Sequence, residues 1–325
     1  MIEVFLITST QWVSLPVEEV TLSGKRYQAP RKLDFKLFYP YGTDHQKQNV
    51  EEGNTILFRW KGKELFRGTV FTRNVTKNAV ITVTAYDKMQ YLLLNKDVYV
   101  FNNKRLDQIV ARLLSDFSLS KGTITNTGYM IKSLVFSNVT TLYDIILKAI
   151  SETYKQSGRT YRIYAKSGKL YLEKWNEPST MFLLEDTNTV TDFNVNFSID
   201  DIATKVKVIL TKDKKTLYGY ASDSSGRSKY GLIQYAEASS DNLNQAQLNK
   251  RASQILSQKK GRKKEVTIDA LGDSAIVSGM AIQVNLKRIG INQKFYVDSD
   301  THAFKGNLHT MSLTLIEQNK IPEVQ

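Results

Sequence analysis

Cysteine is missing from all 325 residues, which excludes disulfide frameworks, thiolate metal sites and cysteine nucleophiles and leaves the core to hold by packing alone. No apolar run approaches the roughly 18 residues that cross a bilayer as a helix. The start, MIEVFLITST, has an early Glu3 and no basic leader, so neither a membrane span nor a signal peptide is expected. Also missing are the G-x-S-x-G elbow, the G-x-x-x-x-G-K-S/T loop and the G-x-G-x-x-G turn, which removes the commonest signals for acyl transfer, phosphate cradling and dinucleotide binding. Histidine is scarce, with 3 in the chain, and two of these fall in one segment.

What is present suits a globular protein. Hydrophobic residues make up 41% of the chain, ample for a buried core, and the length implies two or three domains. Lysine and arginine number 45 against 32 aspartates and glutamates, a net charge of +13 that raises the question of an acidic partner. The 17 Tyr, 14 Phe and 3 Trp are spread mainly through strand-like text, where packing is their default use.

Up to about residue 95, apolar and polar residues alternate in IEVFLIT, KLDFKLF and NAVITVTAY between Gly, Pro and Asn punctuation, which predicts a succession of short strands in a small barrel or sandwich. Leu33, Phe35 and Leu37 share one predicted face. The period then changes to that of amphipathic helices. Leu106, Ile109, Val110, Leu113, Leu114 and Phe117 form one apolar stripe, with Asn103 as its expected N-cap. Leu142, Ile145, Ile146, Ala149 and Ile150 form another, introduced by Thr141 and Asp144 in a capping arrangement. TYRIYAKSGKLYLEKW reads as a β-hairpin about a Ser-Gly-Lys turn, completing an α+β middle domain over 96–185. After Pro178 strands return in KVKVIL. A polar stretch, YASDSSGRSKYG, reads as an exposed loop, and a helix is expected from about Asp241 to Lys260, stopped by Gly261. The expected fold is thus mainly β with α+β, with domains 1–95, 96–185 and 186–325.

GNTILFRWKGKELFRGTVFTRNVTKNAVITVTAYD, from Gly53, echoes GMAIQVNLKRIGINQKFYVDSDTHAFKGNLHTMSLTL, from Gly279. Both run Gly-x-x-Ile, then an alternating strand, a Phe-led strand (Phe66 or Phe295, the first passing Gly68), a Lys-containing turn and a last long strand. The first and last domains read as one strand module used twice.

Several residues invite a chemical reading. Asp298, Asp300 and His302 stand at alternate positions and would share one strand face, weak candidates for a metal site, with His309 across the next turn. The competing reading is a hairpin face or satisfied polar pair. His45 has no evident partner, and Glu173 and Glu177 decorate a strand end rather than flank a cleft. KKGRKK, with Lys259, Lys260, Arg262, Lys263 and Lys264, is the densest basic run; it offsets a helix C-terminus or meets phosphate or an acidic protein. It contains no aromatic residue, which argues against stacking on nucleic acid bases.

Taken in order, ELFRGTVFTRN, ITVTAYDKMQYLL, LDQIVARLLSDF, TLYDIILKAISETY, GDSAIVSGMAIQVNL and FYVDSDTHAFKGNLHTMSLTL resemble the baseplate hubs of contractile-tailed phages and phage-tail-like bacteriocins, above all those of Gram-positive prophages. The resemblance spans nearly the whole chain. It implies two related tube-like β-barrel domains flanking the middle domain, and a homotrimeric adaptor between a sixfold tail tube and a threefold central spike. It further implies contacts with other baseplate proteins, and assembly in the bacterial cytoplasm into a virion or tail-like particle. It assigns no catalytic residue, cofactor or metal, and carries over His302, Lys305, Gly306 and His309 as turn-forming and strand-pairing positions; Gly53, Gly68 and Gly279 are read from the echo itself as further hairpin and turn positions. The alternative is a wall-binding or wall-degrading tail protein.

Overall fold

The computed structural model describes residues 1–9, 11–28, 30–38, 50–77, 80–175, 181–212, 215–239 and 243–319. His45, Glu177, Pro178 and Asp241 lie outside them. The chain forms two compact units, 1–193 with 267–325, and 194–266.

In the first unit the chain opens with β1 (Ile2–Ile7), β2 (Trp12–Leu15), β3 (Glu19–Lys25), β4 (Lys32–Phe38), β5 (Thr55–Trp60), β6 (Lys63–Val75) and β7 (Val80–Tyr86). Alternation decides which face is buried: Leu33, Phe35 and Leu37 all turn inward, joining Val4, Phe58, Trp60 and Val83 in one core. There follow α1 (Gln90–Leu94), β8 (Lys96–Arg105), α2 (Leu106–Asp116), β9 (Lys121–Ile124), β10 (Met130–Thr141), α3 (Leu142–Ser157), β11 (Tyr161–Lys166) and β12 (Lys169–Lys174). The two apolar stripes pack together with Leu170 and Leu172 in a second core.

Local chemistry sets these helix ends. Thr141 Oγ1 accepts from the Asp144 N–H at 3.0 Å, and Gly158 closes α3 at φ +67°. The expected cap at Asn103 is not used. Asn103 sits inside β8 at φ +51°, and the N-cap is Arg105, whose N–H donates to the Gln108 side chain. The β11–β12 hairpin turns on Ser167 and Gly168, both left-handed, as a two-residue turn requires.

The chain then adds β13 (Phe182–Glu185) and β14 (Val190–Ser198). Next come β15 (Lys205–Lys212), β16 (Lys215–Ser222), α4 (Ser224–Tyr230), β17 (Gln234–Ala238) and α5 (Gln245–Lys259), the body of the second unit. Here the expected loop is α4, started by Asp223, whose carboxylate accepts from the Gly226 N–H. Asn244 and Gln247 form a reciprocal capping box for α5, and Gly261 lies just beyond its end at φ +78°. Val206, Val208 and Leu210 pack beneath Leu248, Ala252 and Leu256 of that helix.

The last elements are β18 (Lys263–Leu271), β19 (Ala281–Leu286), β20 (Ile291–Lys305) and β21 (Leu308–Ile316). The protein is mainly β, but among the described residues no closed barrel forms. One 13-stranded sheet runs β14-β18-β21-β20-β3-β4-β7-β6-β5-β1-β2, with β19 and β13 branching from β20.

The echo is structural. Gly53 and Gly279 take φ +88° and +91°, conformations an L-residue avoids. Each donates to a valine on the long middle strand, Gly53 N–H to Val70 O at 2.9 Å and Gly279 N–H to Val297 O at 2.6 Å. Each valine donates back, Val70 to Asn54 O and Val297 to Met280 O, both at 2.9 Å. A β-bulge follows in both, at Phe71 and at Asp298. This register differs from the sequence alignment by two residues. Phe295 corresponds to Gly68, where the Phe66 ring lies 2.4 Å from the place a Cβ would occupy.

The two glycines separate backbone strain from crowding. A Cβ on Gly53 meets nothing within 4 Å, whereas one on Gly279 would lie 2.1 Å from the Trp175 ring. In urea unfolding, Gly53→Ala should therefore cost about 1–2 kcal/mol from the left-handed backbone alone. Gly279→Ala should cost at least about 1 kcal/mol more, because Trp175 must move; equal losses would contradict this account.

Candidate functional site

Polar groups of unusual depth gather where the second meander meets the first. Strand β20 has two partners along one edge, β19 over Ile291–Tyr296 and β3 over Ser299–Lys305. The bulge at Asp298 reverses the side-chain parity between those halves, so Val297, Asp300, His302 and Phe304 are all buried. The alternation read from sequence is thereby broken. Asp298 does not share the face of Asp300 and His302, but lies partly exposed beside Arg26 Nε, 3.4 Å away, and Lys25 Nζ, 3.9 Å away.

Asp300 is held from three sides. Arg31 donates to its two oxygens at 3.1 and 2.6 Å, and the Ser278 N–H donates at 2.6 Å. Burial alone would raise this carboxyl, but Arg31 and His302 hold it well below the usual carboxylate range. Gly24 leaves the space that Arg31 occupies, since a Cβ there would stand 2.7 Å from Nη1. His302 Nε2 lies 2.9 Å from the Ile276 carbonyl, which can only accept, so that nitrogen carries a hydrogen. His302 Nδ1 then shares one hydrogen with His309 Nε2 at 3.0 Å. Burial, with His302 and Lys61 nearby, pushes His309 down to about 4 and keeps it neutral.

An aromatic wedge completes the junction. Phe304, from the second meander, enters the core of the first, with ring centroids 5.0 Å from Phe58, 5.1 Å from Trp60 and 4.1 Å from His309. Lys305 pairs with Leu308 across a two-residue turn that includes Gly306 at φ +56°. Asp300, His302 and His309 come together as a satisfied polar cluster, and no group of three or more His, Asp or Glu poised to hold a metal occurs among the described residues.

The other candidates lie elsewhere. Glu173 binds Arg162 and accepts from the Tyr164 hydroxyl at 3.0 Å. Lys259 closes α5, Lys260 caps it, and Lys259 and Lys263 both pair with Asp201, which they pull down to about 2. Arg262 lies over the Phe197 ring at 3.9 Å. Sequence reasoning missed Arg26, Arg31 and Asp87. The side-chain partners of Arg26 and Arg31 lie 269 to 293 positions away, beyond any local spacing, and Asp87 is marked by its burial rather than by a motif.

A scan against family models matches the YqbQ-like family over residues 20–316. The chain belongs to that family. It is 49% identical over 324 residues to YqbQ of Bacillus subtilis (strain 168), covering 99% of both chains. It is 47% identical over 324 residues to the phage-like element PBSX protein XkdQ of the same organism, again over 99% of both. The fold is that of the 43 kDa tail protein of prophage MuSo2 from Shewanella oneidensis, with a TM-score of 0.72, 13% identity and coverage of 97% of this chain and 98% of that one. In this YqbQ-like protein the buried cluster therefore sits on a phage tail protein fold.

Two outcomes test the cluster. Arg31→Ala leaves Asp300 charged and unpaired, and should cost about 3–5 kcal/mol in urea unfolding, with part of the loss recovered in the Arg31→Ala/Asp300→Asn double variant. Asp87 titrates differently. Burial, only partly offset by the Met89 N–H and the neighbouring Arg31, raises it from 3.8 to about 7. Between those values the native state keeps a proton that the unfolded chain releases, so its contribution to stability falls as pH rises through that window. The Tm advantage of Asp87→Asn should accordingly grow from pH 4 to pH 7 and then level off; an advantage constant with pH would refute the assignment.

Proposed function

We propose that this protein is the structural hub of a phage-like tail, a homotrimer that joins a sixfold tail tube to a threefold central spike and takes its place among the other baseplate proteins of a virion or tail-like particle. Its close relation to a phage-like element protein and its tail-protein fold support a structural role in a tail.

One observation carries the finer reading. The first meander orders its strands β3-β4-β7-β6-β5, and the second β14-β18-β21-β20-β19. Within the chain, β3 covers the second half of β20. The matching half of β6, Thr72–Val75, has no strand on that edge among the described residues, and Val75 is 55% exposed. The strand that matches β3 is β14, at the far end of the sheet. A second copy placed with its β14 on this β6 repeats the internal junction, and three copies return to the start with six meanders and both of these edges paired. An even ring of six similar lobes fits a sixfold tube, while the chains themselves keep threefold symmetry for a spike. The barrels that the sequence leads one to expect are then completed between copies.

The competing reading is a wall-binding or wall-degrading tail protein, an enzyme of that kind using Asp298, Asp300 or a Glu pair. Asp298 and Asp300 are engaged with arginine, and so is Glu173.

Thr76 N–H donates to Val80 O, so alternation along the ladder turns the Val75 N–H away from β7 and toward the open edge. Val75→Pro removes that donor without touching the hairpin. Light scattering should give three times 37.1 kDa for the wild type and the single-chain mass for Val75→Pro, with both still unfolding cooperatively and only the wild-type midpoint rising with protein concentration. A wild type that shows no ring of three chains, either free or in imaged particles that contain it, would overturn the proposal.

A further inference from the structure

The second unit has a face that the hub reading leaves unused. Strand β15 lies between β16 and β17. One face of this sheet is closed by α5, against which Val206, Val208, Leu210 and Gly219 pack. The opposite face carries Lys205, Lys207 and Ile209 of β15, which pair across the ladder with Ser222, Tyr220 and Tyr218 of β16. Their partners on β17 are Gln234, Ala236 and Ala238, all exposed.

Three features distinguish this face from an ordinary solvated one. Tyr218 and Tyr220 are 40% and 48% exposed, large aromatic surfaces side by side on an edge strand. Lys207 Nζ stands 4.2 Å from the Tyr218 ring centre and Lys205 Nζ 5.4 Å from that of Tyr220, so the rings hold both ammonium groups in place. No carboxylate stands among the open-face positions of the three strands, and neither lysine has an acidic partner among the described residues. The surrounding unit is basic: residues 194–266 hold 14 Lys and Arg against 7 Asp and Glu, about half of the net +13 in less than a quarter of the length.

We propose that the open face of the β15–β16–β17 sheet is a docking surface for an acidic protein partner, with Lys205 and Lys207 meeting its carboxylates and Tyr218 and Tyr220 supplying the apolar contact. Charge complementarity at this face favours an acidic partner over a second copy of this basic chain. Single-stranded nucleic acid fits less well, because bases need free ring faces to stack on and each ring here already has an ammonium over it. Exposed tyrosines are what a protein interface concentrates at its centre, and the lysines beside them supply the charge complementarity that selects the partner.

The test uses the full chain and a fluorescein-labelled polyglutamate peptide as probe, read by anisotropy, with an oligothymidylate as competitor. Lys205→Glu/Lys207→Glu should weaken polyglutamate binding by about tenfold or more, as loss of a specific charge contact does. Lys229→Glu/Lys250→Glu, an equal change of charge elsewhere in the same unit, should weaken it less than about threefold, since it alters only the long-range field. Lys205→Gln/Lys207→Gln removes the cations without adding repulsion and should also weaken binding clearly, while Tyr218→Ala/Tyr220→Ala should weaken it with no change in charge. Equal losses in the two charge-reversal variants would show a diffuse electrostatic attraction and overturn the proposal. So would oligothymidylate binding more tightly than polyglutamate and depending on the two tyrosines.

Discussion

Strand β20 must serve two neighbours along one edge, and a single extra residue makes that possible. With unbroken alternation, the inward position of Val297 would be followed by Ser299, Thr301 and Ala303, and Phe304 would point outward. The bulge at Asp298 shifts the count by one, so Asp300, His302 and Phe304 face inward instead. The union of the two meanders follows from this shift. Phe304 fills the first core beside Phe58 and Trp60, and Asp300 meets Arg31 from the turn that precedes β4.

The architecture was legible in the sequence wherever a period is self-contained. The alternating runs became β1, β4 and β7, the two apolar stripes became α2 and α3, and Thr141 and Gly261 act at helix ends as their chemistry dictates. Pairwise spacing failed where backbone geometry intervenes. The bulge separates Asp298 from Asp300, the left-handed Asn103 belongs to a strand, and Asp223 turns a polar stretch into a helix. The site was half visible. Asp300, His302 and His309 stand out as a cluster in the text, but Arg31, which decides the charge of Asp300, is a lone arginine before a strand. The internal echo was visible as a pattern and misaligned in detail, because Gly68 stands where the second meander has Phe295 and no local rule says that Phe66 fills the space.

A buried ion pair is weak evidence for stability, because removing both charges from water offsets most of their attraction. Its value here lies in register. A slip of one residue between β3 and β20 would carry Asp300 away from Arg31 and bury both unpaired, an error far costlier than the gain from the correct pairing. The polar cluster thus penalises wrong alignments at the joint where the repeat is most exposed to them.

The same logic bears on assembly. Corresponding positions in the two meanders invert the charge: the shared register places Arg73 in β6 where β20 has Asp300. Arg73 stands 3.7 Å from Glu52 and donates to the Val50 carbonyl at 2.9 Å. In the proposed ring this inversion opposes one specific error. If β3 of another copy took the open edge of β6, its Arg31 would approach Arg73 where the native junction supplies a carboxylate, a like-charge contact in place of an ion pair. First meanders are therefore discouraged from pairing with first meanders, and β3 is directed to β20 of its own chain. What remains for β6 is the strand β14, whose following segment carries no arginine in the place of Arg31: Ile199, Asp200 and Asp201 come next. In that proposed ring, two versions of one module that differ in charge at this position would alternate, and the alternation would let a threefold assembly present six similar faces.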